Sequence, residues 1–224
     1  MHTKQTPVPL QRPVLLVHGI FNTGYIFRKM APRLREAGFD ARTIDLIPPD
    51  GSAGLDALSR QVAAYVEEHF RTRPFALVGF SMGGLVSRAY LQNLKRPESD
   101  CRSFVSISTP HQGSLLGYTL RNQGAREMRP GSPWLQRLNG DIRKLEGRPF
   151  LSWWTPLDLM ILPAWSSDIP QAERRQFWSW AHPRMLFHSG LITALTDHLE
   201  SLDWQTQPTK TTPATTAKTE TASR

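Results

Sequence analysis

The sequence predicts an α/β protein built on a doubly wound, mostly parallel six-stranded sheet. Three observations lead there. Short apolar runs recur without alternation, as expected of strands buried on both faces. Stretches of helical spacing separate most of these runs, the pattern that produces parallel crossovers. The punctuation between them is rich in Gly and Pro, which marks turns rather than continued elements.

Residues 14–17, Val-Leu-Leu-Val after Pro13, form the first predicted strand. The run ends in His18-Gly19-Ile20-Phe21-Asn22-Thr23-Gly24, and residues 25–37 read as a helix closed by Gly38. A second strand over 39–46 is stopped by Pro48-Pro49-Asp50-Gly51. Leu55, Leu58, Val62, Tyr65, Val66 and Phe70 then mark one face of a long helix. A strand beginning at Phe75 leads through Gly79-Phe80-Ser81-Met82-Gly83 into a helix with Leu85, Val86, Ala89, Tyr90 and Leu94 at helical spacing. Residues 103–108 are the fourth strand, ending in Thr109-Pro110-His111-Gln112-Gly113-Ser114. The alternation then pauses over a Gly-, Pro- and Arg-rich segment with one short helix expected at 133–145. Strands at 149–154 and 173–181 follow, and a final helix over 191–202 turns Ile192, Leu195, Leu199 and Leu202 inward.

A chain of 224 residues accommodates one domain with a sizeable core but is short for two. The expected organisation is an N-terminal extension over 1–12, a domain over 13–204 with a cap segment at about 114–148, and a tail over 205–224. The tail holds eight Thr and no large apolar side chain, so it cannot offset the entropy of ordering and is expected to be disordered. Of the net charge of +8, the tail carries +2 (Lys210, Lys218 and Arg224 against Glu220), leaving +6 on the folded part. No Lys/Arg block or aromatic RNA-binding motif accompanies this excess, so a solvated Arg-rich surface is expected and nucleic acid is not an expected partner. No zinc-ligand spacing occurs, and no metal or cofactor is expected. The N-terminus shows no export signal, and no run of about 18 apolar residues is present. The single Cys101 allows no internal disulfide, fits a reducing cytoplasm, and reads as a small buried residue.

The chemistry centres on Ser81. A Gly-x-Ser-x-Gly sequence arises by chance in a chain of this length with a probability of about 5–10%. Its position between an apolar strand and an amphipathic helix is what makes it informative. A tight strand-to-helix turn lifts the serine from the sheet edge, and Gly79 and Gly83 let the two backbones cross closely.

VLLVHGIFNTG, GFSMGG, STPHQGS, TPLDLMILPAWSS and HSGLI, in this order, resemble the α/β-hydrolase fold, and within it a compact bacterial triacylglycerol lipase or esterase type. The resemblance covers about residues 13–202 and implies that the first two strands of the family are lacking. It also implies a catalytic order of nucleophile, acid and histidine on loops at the carboxyl ends of strands. His188, on a Gly-ended loop before the last helix, matches the family pattern H-x-G-L and is the favoured base; His182, directly after the sixth strand, is the alternative. His198 reads as a rim residue within the last helix. Asp158 aligns with the acid, which would hold the imidazole tautomer, and Asp168 is the fallback or else a helix cap. The backbone N–H groups of Ile20 and Met82 are the expected oxyanion donors. His18 and His111 read as buried, loop-shaping residues.

The resemblance implies a serine carboxylester hydrolase acting through an acyl-enzyme on a small-molecule or lipid acyl ester. A thioesterase or acyltransferase with the same triad, and a catalytically silent binding module, are the alternatives. In the cap, Leu115, Leu116, Tyr118, Trp134, Leu135 and Leu138 are candidate acyl contacts. The same segment has seven basic against three acidic residues, a net +4, which suggests transient contact with an anionic membrane surface near the mouth. The chain is expected to act as a monomer.

Overall fold

The computed structural model describes residues 12–71, 73–96 and 99–205. The proposed N-terminal extension and Thr-rich tail fall outside these residues, apart from Arg12 and Gln205. Among the described residues no helix is long and apolar enough to cross a membrane.

Six strands form one sheet: β1 (Pro13–Val17), β2 (Asp40–Ile44), β3 (Phe75–Phe80), β4 (Cys101–Ile107), β5 (Phe150–Trp154) and β6 (Glu173–Gln176), in spatial order β2-β1-β3-β4-β5-β6. All five pairings are parallel. The carboxyl ends therefore lie along one edge, with the order reversing at β1, and that edge is where α/β sheets build their sites. β1 and β3 are buried at every position, which is why they read as unbroken apolar runs. β6 is exposed throughout and only four residues long; the strand expected over 173–181 stops at Gln176, and a loop leads into a 3-10 turn, His182–Phe187.

Six α-helices accompany the sheet: α1 (Met30–Glu36), α2 (Leu55–Phe70), α3 (Met82–Ala89), α4 (Gln123–Glu127), α5 (Pro133–Gly140) and α6 (Ser189–Glu200). The helix expected at 25–37 is split into a 3-10 turn, Gly24–Phe27, and α1. The 3-10 turn is capped by Thr23, whose side chain accepts from the Tyr25 amide. The expected 133–145 helix likewise divides into α5 and a 3-10 turn, Ile142–Leu145.

The alternating sides of the strands feed two separate apolar cores. Leu15, Val17 and Leu77 face α2, α3 and α5, while Val14, Leu16, Ala76 and Val78 face α1 and α6. Cys101 is buried as expected, and burial pushes its thiol up to about 11. His198 is half-buried rather than a rim residue: its Nε2 lies 2.7 Å from Ser103 Oγ, and burial lowers its pKa.

Candidate active site

Ser81 sits directly between β3 and α3 with φ 55° and ψ −126°, a backbone conformation that L-residues seldom occupy. Sequence permits this because the crossing is lined by glycine. A Cβ on Gly83 would collide with the carbonyl oxygens of Val17 and His18, so α3 can start beneath the β1 loop only with glycine there. A Cβ on Gly19 would come 2.8 Å from Ser81 Cβ, which places the loop after β1 against the serine. The amides of Ile20 and Met82 flank Ser81 on that loop and at the first residue of α3. Among the described residues neither is taken up by a backbone acceptor.

Two buried histidines shape the surrounding loops. His18 Nδ1 lies 2.8 Å from the Gly19 carbonyl and its Nε2 accepts from the Leu46 amide, so the neutral ring has its proton on Nδ1. Burial, the largest influence, lowers its pKa. His111 contacts Ser106 Oγ through Nε2 and Arg88 through Nδ1. Burial, with the nearby Arg88 cation second, holds His111 well below its ordinary value. Arg88 is itself fully buried, and burial pushes it down to about 9. Its guanidinium donates to Gln92, Asn139 and the Leu138 carbonyl as well as meeting His111, joining α3, the loop after β4 and α5. Nothing in the sequence signalled this, because a charged residue at helical spacing reads as a solvated face.

The acid and the imidazole meet on the loops after β5 and β6. Asp158 Oδ1 accepts from the amides of Met160 and Ile161, each at 2.9 Å. His182 Nδ1 donates to Asp158 Oδ2 at 2.7 Å, with both side chains almost completely buried. The His182 ring packs against Phe80, the residue preceding Ser81, at 4.7 Å between centroids. Thr155 fastens the two loops together: Oγ1 donates to the Ser179 carbonyl and accepts from the Ser179 amide.

Asp158 is thus paired with His182, not with the favoured His188. His188 is the N-cap of α6, and its Nδ1 accepts from the Leu191 amide at 3.2 Å. That ring nitrogen is committed to the helix end, and the ring packs edge-on against Phe177 at 5.6 Å between centroids. The fallback acid Asp168 is the C-cap of the 3-10 turn Ala164–Ser167, not an N-cap, and pairs with Arg174.

Of the six candidate acyl contacts, only Leu116 lines the cavity at Ser81. That cavity, about 180 Å³, is walled by Ile20, Phe21, Leu120, Met128, Met160 and other residues of the loop and cap. Leu115 and Tyr118 point outward, and Tyr118 carries the Arg129 guanidinium over its ring. Trp134, Leu135 and Leu138 belong to the core beside α2 and α3, with Trp134 Nε1 donating to Asp56. Their spacing reported an apolar face correctly but could not say what it covers. Two of the six arginines in this segment are engaged: Arg129 donates to the Gly117 and Leu120 carbonyls, and Arg137 pairs with Asp56.

Comparison with known proteins agrees with this architecture. The family model described as alpha/beta hydrolase fold matches residues 12–184. Lysosomal thioesterase PPT2 of Bos taurus is 35% identical over 109 residues, covering 46% of this chain and 34% of the relative, and the Homo sapiens protein is 34% identical over the same span. The chain thus spans about a third of the length of these curated relatives. Among solved structures, Bacillus licheniformis lipase BlEst2 superposes with TM-score 0.64 at 18% identity over 87% of this chain and 94% of that one. The thioesterase domain from the curacin biosynthetic pathway gives 0.61 at 14% identity over 87% and 92%. At such identities the likeness is one of fold.

Proposed function

The chain belongs to the alpha/beta hydrolase fold family, and we propose that within it this protein is a serine hydrolase that cleaves carboxylic esters through an acyl-enzyme on Ser81. His182 is the base and Asp158 the acid that orients it. The observation that carries the reading is the buried Asp158–His182 hydrogen bond at 2.7 Å, with the His182 ring packed on Phe80, the residue before the strained serine.

The chemistry follows from the protons. Asp158 accepts a hydrogen bond from the Nδ1–H of His182 and so holds the proton on that nitrogen, which leaves Nε2 of the neutral ring with the lone pair and free to act as a base. Ser81 Oγ attacks the acyl carbonyl and its proton passes to Nε2. The oxyanion is met by the amides of Ile20 and Met82. Collapse breaks the bond to the leaving atom, which takes the proton from His182. Water then attacks the acyl-serine by the same route in reverse, releasing the acid and restoring Ser81. The two amides on Oδ1 fix the Asp158 side chain in its buried place, where Oδ2 faces the imidazolium formed twice per turnover.

A thioester leaving group is the second reading, favoured by the relatives named as thioesterases. The nucleophile and base serve either, because the acyl carbon is the reacting centre in both.

The test compares His182→Ala with His188→Ala on a short neutral ester, alongside labelling of Ser81 by a fluorophosphonate. The expected result is that His182→Ala loses at least about 100-fold in kcat and labels slowly. His188→Ala should keep its turnover to within about threefold, with a stability loss of about 1 kcal/mol from the missing cap. A collapse of turnover in His188→Ala with His182→Ala left active would overturn the assignment.

A further inference from the structure

A second cleft, about 470 Å³, opens beside the loop that carries His182 and shares no residue with the cavity at Ser81. One wall is Trp178, Trp180 and Arg184, which bracket His182 in sequence; the other is Arg28 and Lys29, which follow the 3-10 turn after β1. The two cavities fall on opposite sides of the sheet. Ile20 and Met128 of the first pack on the core beneath α2 and α3, whereas Phe187 of the second packs on the core beneath α1 and α6.

The chemistry of the cleft is cationic and aromatic. The guanidinium carbon of Arg184 lies over the Trp180 ring at 4.1 Å and that of Arg28 over Phe187 at 4.5 Å, so both cations are held against aromatic faces, and among the described residues neither makes a hydrogen bond that would occupy its guanidinium N–H groups. Among the described residues neither arginine, nor Lys29, makes an ion pair within 4 Å. Lys29 also borders an adjoining groove that contains Glu36 and Asp197, so the two arginines carry most of the argument. Trp178 and Trp180 are 70% and 64% exposed, an unfavourable state for two indoles that nothing in the rest of the fold requires.

We propose that this cleft is the leaving-group site and that it takes a leaving group bearing phosphate together with an aromatic base, a nucleotide-type tail. The inference rests on the hydrolase reading above. With the acyl chain in the cavity walled by Leu116 and Met128, the leaving atom must face His182, which returns the proton to it. What is attached to that atom then extends along the wall formed by Trp178, Trp180 and Arg184. Guanidinium edges suit phosphate oxygens, and exposed indole faces suit stacking by a base. Binding energy from this remote tail would act on the reacting carbonyl by fixing its position.

The test uses two substrates with the same acyl chain and the same sulfur: hexanoyl-coenzyme A and hexanoyl-N-acetylcysteamine, which lacks the nucleotide. The expected result at low salt is a kcat/KM ratio of about tenfold or more in favour of the nucleotide thioester. The double variant Arg28→Gln/Arg184→Gln, altered at exposed positions, should reduce that ratio at least about fivefold. Calorimetry supplies the independent readout: adenosine 3′,5′-bisphosphate should bind Ser81→Ala protein and bind the same protein carrying the two Gln substitutions more weakly. Equal use of both thioesters, or a ratio unchanged in the double variant, overturns the proposal while turnover of hexanoyl-N-acetylcysteamine leaves the hydrolase reading standing. If neither thioester nor a neutral hexanoyl ester is cleaved, the hydrolase reading falls and the leaving-group assignment falls with it. Phosphatidylglycerol vesicles form the last arm. Vesicle binding that depends on the two arginines, without binding of the bisphosphate, would assign the cleft to a lipid surface and likewise overturn the proposal.

Discussion

Arg88 should behave oppositely under two substitutions that look equally conservative. Its guanidinium is fully buried with no carboxylate among its hydrogen-bond partners, and burial pushes it from 12.5 down to about 9, which corresponds to a cost of about 5 kcal/mol for keeping the cation. Arg88→Met removes this cost and keeps most of the apolar stem. It also strips partners from Gln92 Oε1, His111 Nδ1 and the half-exposed Asn139 Oδ1; Leu138 O keeps the Gln92 amide at 2.7 Å. Orphaned buried acceptors cost about 1–3 kcal/mol each, so the loss is about 3–7 kcal/mol with the half-exposed one discounted. Gain and loss nearly cancel, and Arg88→Met should lie within about 2 kcal/mol of the parent. Arg88→Lys keeps a buried cation while its compact ammonium cannot span four acceptors, so it should lose about 3–5 kcal/mol. Urea denaturation read by tryptophan fluorescence and by far-UV circular dichroism gives both values. If Arg88→Lys proves more stable than Arg88→Met, the balance drawn here between desolvation and orphaned acceptors is wrong.

Two further outcomes follow from the same geometry. His18, His111 and His198 have folded pKa values below 6.5, so the unfolded chain takes up protons before the folded state does as pH falls beneath that value. Stability should therefore be complete above about pH 6.5 and decline below it, with a slope approaching about 4 kcal/mol per pH unit where all three contribute fully; equal urea midpoints at pH 7.5 and 5 would contradict this. The cavity at Ser81, at about 180 Å³, holds six groups of methylene size when each is allotted about 30 Å³. Ester turnover should peak near six to eight acyl carbons, and Leu116→Ala should lengthen the optimum by about two; a rate that climbs steadily to sixteen carbons would refute the cavity as the acyl site.

What was legible in the sequence tracks what local pattern can encode. The six strands, their parallel arrangement and the crossing at Gly83 follow from apolar runs and glycine placement, which depend on near neighbours. The pairing of Asp158 with His182 does not. β6 ends at Gln176, and the twelve-residue stretch from there to α6 contains two histidines, both compatible with a loop at the right edge. The loop is pinned by Thr155 gripping Ser179, a contact between segments 24 residues apart, while His188 is spent locally as the cap of α6, a role that depends on where that helix begins. The same limit explains Trp134, Leu135 and Leu138. Helical spacing identifies their shared face, but only the packing of α5 on α2 and α3 shows that the face closes a core rather than a groove.

The strain at the site has a distribution that bears on how it is held. Among the described residues the non-glycine positions with positive φ are Phe21, Ser81 and Ser108, and each follows the carboxyl end of a strand, β1, β3 or β4. Such conformations cost about 1–3 kcal/mol apiece, so about 3–9 kcal/mol is concentrated along one sheet edge. They persist because the backbone is fixed from both sides. Phe21 N donates to the Pro49 carbonyl, Ser81 N to Ile107 O, and Ser108 N to Trp153 O, so each strained residue is tied to the loop or strand beside it. Relaxing one would break a hydrogen bond to the next element in the sheet. Each strained residue is thus held by its neighbour, and a fixed edge of this kind is what the proposed oxyanion donors, the amides of Ile20 and Met82, would need in order to meet an oxyanion without rearranging first.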